Sequence, residues 1–136
     1  MESEGKRVLL IEDDGTLRTL YRDELESAHF VVEEAIEGNE GLRKSSEGGY
    51  DVILMDILLP GLKGPQILER LQTNPPKRPN GMILMLTNQS DPDVLEKCRF
   101  YGAKGAIIKS KATPKQIVEK MRDYLLTGDP TEVRSI

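Results

Sequence analysis

"VLLIEDDG", residues 8–15, runs four apolar residues straight into three carboxylates. Continuous apolarity over so short a run, without alternation, fits a strand covered on both faces. Ending that strand in Glu12, Asp13 and Asp14 gathers like charges at one point, which each ionisation makes harder for the next. Three further runs follow the same pattern: VILM (52–55) precedes Asp56, MILML (82–86) precedes Thr87, and AII (106–108) precedes Lys109. A fifth run, FVVEEA (30–35), turns polar at its end and reads as an edge strand.

Helical patterns fill the intervals. Leu17, Leu20, Tyr21, Leu25 and Ala28 recur at helical spacing. The segment 38–47 is weak, carrying Gly41 and two serines, and only its place between strands recommends it. In GPQILERLQ, Pro65 is placed to open a helix. SDPDVLEKCRFYG has a Ser90/Asp91 cap, Pro92 in its first turn and Gly102 as a stop. In TPKQIVEKMRDYLLTG, Thr113 and Gln116 form a capping box, Ile117, Met121 and Leu125 face the core, and Gly128 ends the helix. Strands alternating with helices predict βαβ units, right-handed crossovers and a mostly parallel, doubly wound α/β sheet. TNPPKRPNG (73–81) is a surface loop. Residues 1–128 read as a single domain, and 129–136 as a tail or the start of a linker.

The 136 residues suit one domain with one respectable core. A net charge of −4 argues against a nucleic-acid surface, which needs a concentrated basic patch. The opening MESEGKR lacks a secretory h-region, and no apolar stretch approaches the ~18 residues that span a bilayer, so neither export nor a membrane partner is expected. The lone Cys98 excludes an internal disulfide and suits a reducing cytoplasm. Its spacing with Leu95 and Tyr101 predicts a packed thiol. His29, just before the edge strand, reads as structural or exposed rather than as a ligand.

In an open α/β sheet, ligands bind at the carboxyl ends of the strands. Parallel strands place Glu12, Asp13, Asp56, Thr87 and Lys109 on one such edge. Crowded carboxylates call for a hard divalent cation, Mg²⁺ or Mn²⁺. A lysine adds a point charge for an anion, a threonine hydroxyl a hydrogen bond, and an aspartate can be a phosphoryl-accepting nucleophile. Each residue alone has a structural reading, and Asp14 fits best as a helix cap. Enzyme readings fit poorly. No G-x-x-x-x-G-K-[ST] occurs. A haloacid-dehalogenase-like phosphatase needs a second acid where Leu58 stands. An FMN carrier needs hydroxyls after the first strand, where acids stand, and aromatic stacking residues, and the chain has no tryptophan.

Over residues 6–126 the chain resembles a response-regulator receiver domain. The matching residues are IEDD, MDILLPGLKG, LT and GAIIK, with D-x-x-x-P-x-x-x-G running from Asp56 through Pro60 to Gly64. The resemblance implies a flavodoxin-like (βα)5 fold with a five-stranded parallel sheet of order 2-1-3-4-5. It implies that Asp56 accepts a phosphoryl group from a sensor histidine kinase or histidine phosphotransfer protein. Asp13, Asp56 and the backbone carbonyl of Leu58 would hold Mg²⁺, with Glu12 acting through a metal-bound water. Lys109 would pair with phosphoryl oxygens, and Thr87 would move toward them and bias a two-state equilibrium. The kinase would dock near the first helix, and a downstream protein would read the fourth helix, fifth strand and fifth helix. The domain would catalyse only its own phosphorylation and dephosphorylation, and homodimerisation is left open.

Four positions depart from the pattern or vary within it. Ser110 follows Lys109 where the family has a proline after a cis bond. A non-proline cis bond costs about 2.5–4 kcal/mol, so a trans loop that shifts Lys109 is expected. Ala106 replaces the aromatic that follows the threonine's motion. Asn88 replaces a small residue and is expected to crowd a phosphoryl oxygen. Leu58 is apolar, which predicts an acyl phosphate shielded from water. The competing reading is a pseudo-receiver, a scaffold that never takes phosphate.

Overall fold

The apolar runs and their edge partner pair as one parallel sheet. The computed structural model describes residues 4–88 and 91–127. In chain order the elements are β1 (Arg7–Ile11), α1 (Gly15–Ser27), β2 (Val31–Ala35), α2 (Gly38–Glu47), β3 (Val52–Asp56) and α3 (Gly64–Thr73). They continue with β4 (Met82–Thr87), α4 (Pro92–Phe100), β5 (Gly105–Ile108) and α5 (Pro114–Thr127). The strand order is β2-β1-β3-β4-β5, with every pairing parallel. Register partners include Ile11 with Met55, Asp56 with Leu86, and Thr87 with Ile108.

Alternate strand residues feed two cores, which is why the central strands carry apolar residues on both faces. Val8, Leu10, Leu54, Leu84 and Ile107 pack with Tyr21 and Leu25 of α1 and with Ile117, Met121 and Tyr124 of α5. Leu9, Ile11, Ile53 and Met85 pack with Ile67 and Leu68 of α3 and with Cys98 of α4. Fully burying one such leucine or isoleucine contributes about 1.5–3 kcal/mol. β2 is exposed or half-buried except at Ala35, as expected of an edge.

The helix ends follow their side chains. The Asp14 carboxylate accepts from the backbone N–H groups of Thr16 and Leu17, both at 3.0 Å, so it caps α1. Thr113 and Gln116 form the expected reciprocal box, at 2.9 and 3.1 Å. Tyr124 shares the buried face of α5, and Leu125 is only half-buried. The glycines that weaken the α2 pattern sit at close approaches. A Cβ on Gly41 would lie 2.9 Å from the Ile11 side chain, and one on Gly38 only 1.8 Å from the Leu62 carbonyl oxygen. Ser90, Gly128 and the tail 129–136 lie outside the described residues.

α1 and α4 both close with a Schellman motif. In α4, Gly102 (φ 110°) donates to Arg99 and Ala103 to Cys98. In α1 the corresponding donors are His29, to Glu26, and buried Phe30, to Leu25. The left-handed position is therefore filled by His29, at φ 72°, where a side chain costs roughly 1–2 kcal/mol. The imidazole is exposed. Replacing His29 with glycine is expected to raise stability by about 1 kcal/mol and the thermal midpoint by roughly 3–5 °C. Equilibrium denaturation checks this, and no gain would mean that the imidazole makes a compensating interaction.

At the opposite edge of the sheet from the acids, Arg7 lies 4.5 Å over the Tyr50 ring and pairs with Glu33 at 2.8 Å. The Tyr50 hydroxyl donates to Glu33 at 2.8 Å. Burial, together with that carboxylate, pushes Tyr50 up to about 12 from 10.0. The folded state thus holds this proton more tightly than the unfolded chain does. Its contribution to stability is complete below the unfolded value and is lost as pH rises through the folded one. A Tyr50→Phe variant is expected to show a flatter fall in stability between about pH 10 and 12 than the parent, measured by denaturation across that range.

Candidate functional site

The topology delivers each singled-out side chain to one sheet edge. Glu12 follows β1 directly, Asp56 ends β3, Thr87 ends β4, and Lys109 opens a single 3-10 turn (Lys109–Lys111) after β5. Glu12, Asp56 and Thr87 are buried and Asp13 is exposed. Carboxylate oxygens of Glu12, Asp13 and Asp56 all lie within 4.8 Å of one another. The Lys109 Nζ donates to Asp56 Oδ2 at 2.7 Å and to Glu12 Oε1 at 3.1 Å.

Backbone groups hold the remaining oxygens. Leu58 N–H donates to Asp56 Oδ1 at 3.1 Å, and Asp14 N–H donates to Glu12 Oε2 at 3.0 Å. Each buried carboxylate is thereby fixed through both of its oxygens. Burial pushes the Glu12 carboxyl above its usual range, with the Asp56 charge adding to the rise and the Asp14 N–H and Lys109 opposing it. Burial acts to lower Lys109, but its hydrogen bonds to Asp56 and Glu12 and their charges outweigh this, so its ammonium is held more firmly than usual.

Within this cluster three carboxylates face one ammonium. The surplus of clustered oxygen ligands, one of them exposed at Asp13, is the donor set that suits a hard divalent cation retaining several of its waters.

Arg18 on α1 escaped the sequence reading. Its Nη1 donates to the Glu12 carbonyl oxygen at 2.8 Å while its Nε pairs with Glu34 at 2.9 Å, tying α1 and β2 to the acid loop. An arginine one turn into an amphipathic helix gives no sequence signal for such a role.

No cis peptide bond occurs among the described residues, so the turn after Lys109 is trans as expected, and the long lysine stem reaches both carboxylates from it. Asn88 is exposed, and its side-chain oxygen accepts the Ser110 N–H at 3.0 Å, the donor that a proline would lack. Ala106 is half-buried against the α3/α4 core. Leu58 is half exposed. Cys98 is buried, and burial raises its thiol, as expected of a packed cysteine.

Residues 8–122 match the response regulator receiver domain family, and the chain belongs to it. It is 36% identical over 90 residues to the uncharacterized transcriptional regulatory protein YkoG of Bacillus subtilis, covering 66% of this chain and 39% of that protein. It is 32% identical over 122 residues to the regulatory protein VanRB of Enterococcus faecalis, covering 88% of this chain and 52% of that one. A CheY-like receiver domain from Methanospirillum hungatei superposes with a TM-score of 0.78 at 27% identity, over 90% of this chain and 94% of that one. The flavodoxin-like order 2-1-3-4-5 is that of these neighbours. The chain spans about half or less of the length of these two relatives. One of them is a transcriptional regulatory protein, so the acidic balance here does not support the expected absence of nucleic acid for a longer protein. Among the described residues no helix is long and apolar enough to cross a membrane.

Proposed function

We propose that the protein is a phosphorylation-controlled switch whose Asp56 accepts a phosphoryl group from the phosphohistidine of a sensor kinase or phosphotransfer protein. The observation that carries this reading is the Lys109 ammonium bridging Asp56 and Glu12 beside Asp13. In the transfer, an Asp56 oxygen forms a bond to phosphorus as the phosphorus–nitrogen bond breaks, and the leaving electron pair goes to the imidazole. Asp13, Asp56 and the Leu58 carbonyl would hold Mg²⁺, or Mn²⁺, with Glu12 acting through a bound water. The cation supplies positive charge against the transferring oxygens.

The chain's own groups do the rest. Leu58 N–H and Lys109 fix the plane of the Asp56 carboxylate, which serves positioning, the larger part of phosphoryl-transfer catalysis. Lys109 is already poised to follow the added phosphoryl oxygens. Thr87, at the same sheet edge, would donate its hydroxyl to them and draw the end of β4 inward, shifting a two-state population. Self-phosphorylation and self-dephosphorylation at Asp56 would be the only chemistry. The domain would occupy residues 1–128 in the cytoplasm, with 129–136 a tail or linker. The kinase would meet α1, and a downstream protein, or a second copy, would meet the α4–β5–α5 face. Ala106 favours a second reading, a scaffold that never takes phosphate, because it offers no ring to follow Thr87.

Incubation with acetyl phosphate and Mg²⁺, read by intact mass, is expected to add one phosphoryl group. The gain should be lost in Asp56→Asn and when the cation is chelated. No gain, with no Mg²⁺ binding by calorimetry at millimolar levels, would favour the scaffold. Half-exposed Leu58 should shield the acyl phosphate from water, so Leu58→Asn is expected to shorten its half-life several-fold, and a longer half-life would refute the shielding.

A further inference from the structure

We infer that Asn88 is a positioning residue for Lys109, acting through the backbone of Ser110. The turn that presents Lys109 has little to hold it. It is three residues long, has no side-chain cap, and its internal Ala112 N–H to Lys109 carbonyl hydrogen bond is stretched to 3.4 Å. Turns of this type have poor hydrogen-bond geometry even when longer. Ser110 and Lys111 are exposed, so packing contributes little.

The Asn88 side chain replaces what is missing. The β4–β5 ladder ends at the Thr87–Ile108 pair. One residue beyond, Asn88 Oδ1 accepts the Ser110 N–H at 3.0 Å and continues the ladder by one rung, with a side-chain amide in place of a backbone carbonyl. The bond spans 22 residues and joins the residue after Thr87 to the residue after Lys109. It fixes the backbone directly after Lys109 and so sets where the lysine stem begins. It also ties any inward movement of Thr87 to the lysine turn, a mechanical link that bypasses Ala106. The bond needs two things together: an acceptor of this reach at 88 and an N–H at 110. Residues 88 and 110 are therefore a matched pair, and changes at them should not be independent.

This inference rests on the phosphoacceptor reading for its kinetic arm only. The full chain would be prepared as wild type, Asn88→Ala, Ser110→Ala, Ser110→Pro and the Asn88→Ala/Ser110→Pro double variant. The rate of phosphoryl gain from acetyl phosphate is expected to fall about fivefold in Asn88→Ala and in Ser110→Pro, the factor one neutral hydrogen bond corresponds to. Ser110→Ala keeps the N–H and should stay within about twofold of wild type. The double variant should be no slower than the slower single. Mg²⁺ affinity by calorimetry should be unchanged throughout, which a general loss of structure would not allow. Amide exchange by NMR gives an arm free of phosphate: the Ser110 N–H should be protected in wild type and unprotected in Asn88→Ala. If wild type gains no phosphoryl group, the phosphoacceptor reading falls and the exchange arm alone decides on the Asn88 bond. Multiplying single-variant losses, equal rates in Ser110→Ala and Ser110→Pro, or an unprotected wild-type Ser110 amide would each overturn the inference.

Discussion

A parallel sheet covered on both faces has no place for a charge except at the ends of its strands. In this chain helices α1 and α5 cover one face and α2, α3 and α4 the other, so the buried stretches of β1, β3 and β4 are apolar until Glu12 just past β1, Asp56 at the end of β3 and Thr87 at the end of β4. Within the central strands β3 and β4 the polar side chains fall at the carboxyl edge. Parallel pairing aligns those edges, so residues 97 positions apart, Glu12 and Lys109, meet at hydrogen-bond distance. The site follows from the layering.

What the layering gathers is electrostatically unbalanced. Removing two carboxylates from water is costly, and one ammonium does not neutralise them both. The backbone contributes the difference it can, through the N–H groups of Asp14 and Leu58. Asp14 serves twice, its backbone holding Glu12 and its side chain capping α1. The third acid of the opening stretch is thus a structural part, while the first two belong to the site. Charge remaining in excess at Asp13, where solvent enters, is what a divalent cation with its own waters is suited to answer.

Much of this was legible in the sequence, for reasons particular to each part. Apolar runs without alternation specified buried strands, and the residue after each run located the site. The Thr113/Gln116 box and the pair of prolines at 92 and 114 marked helix starts through local chemistry. α2 was hard to read because its glycines answer to Ile11 and Leu62, which are distant in sequence. The same holds for Arg18 and Asn88, each of which bonds a backbone atom distant from it or in another loop and leaves no mark on composition. Ser110 and Asn88 each read as a separate defect when taken alone. Side by side, one supplies the donor and the other the acceptor, and the trans turn keeps Lys109 in reach.

The strand order has a consequence for assembly. β1 sits inside the sheet, between β2 and β3, so its two partners are both supplied by residue 56. β4 and β5 then add on one side only. A chain pairing its strands in the order of synthesis would bring Glu12, Asp13 and Asp56 together while Lys109, 53 residues past Asp56, was still unmade. The half-built sheet would hold an uncompensated nest of acids, and pairing β5 with β4 would bring its counter-charge. The last strand to pair is therefore also the step that brings the site its ammonium, which makes the lysine turn a natural checkpoint on whether the sheet is complete.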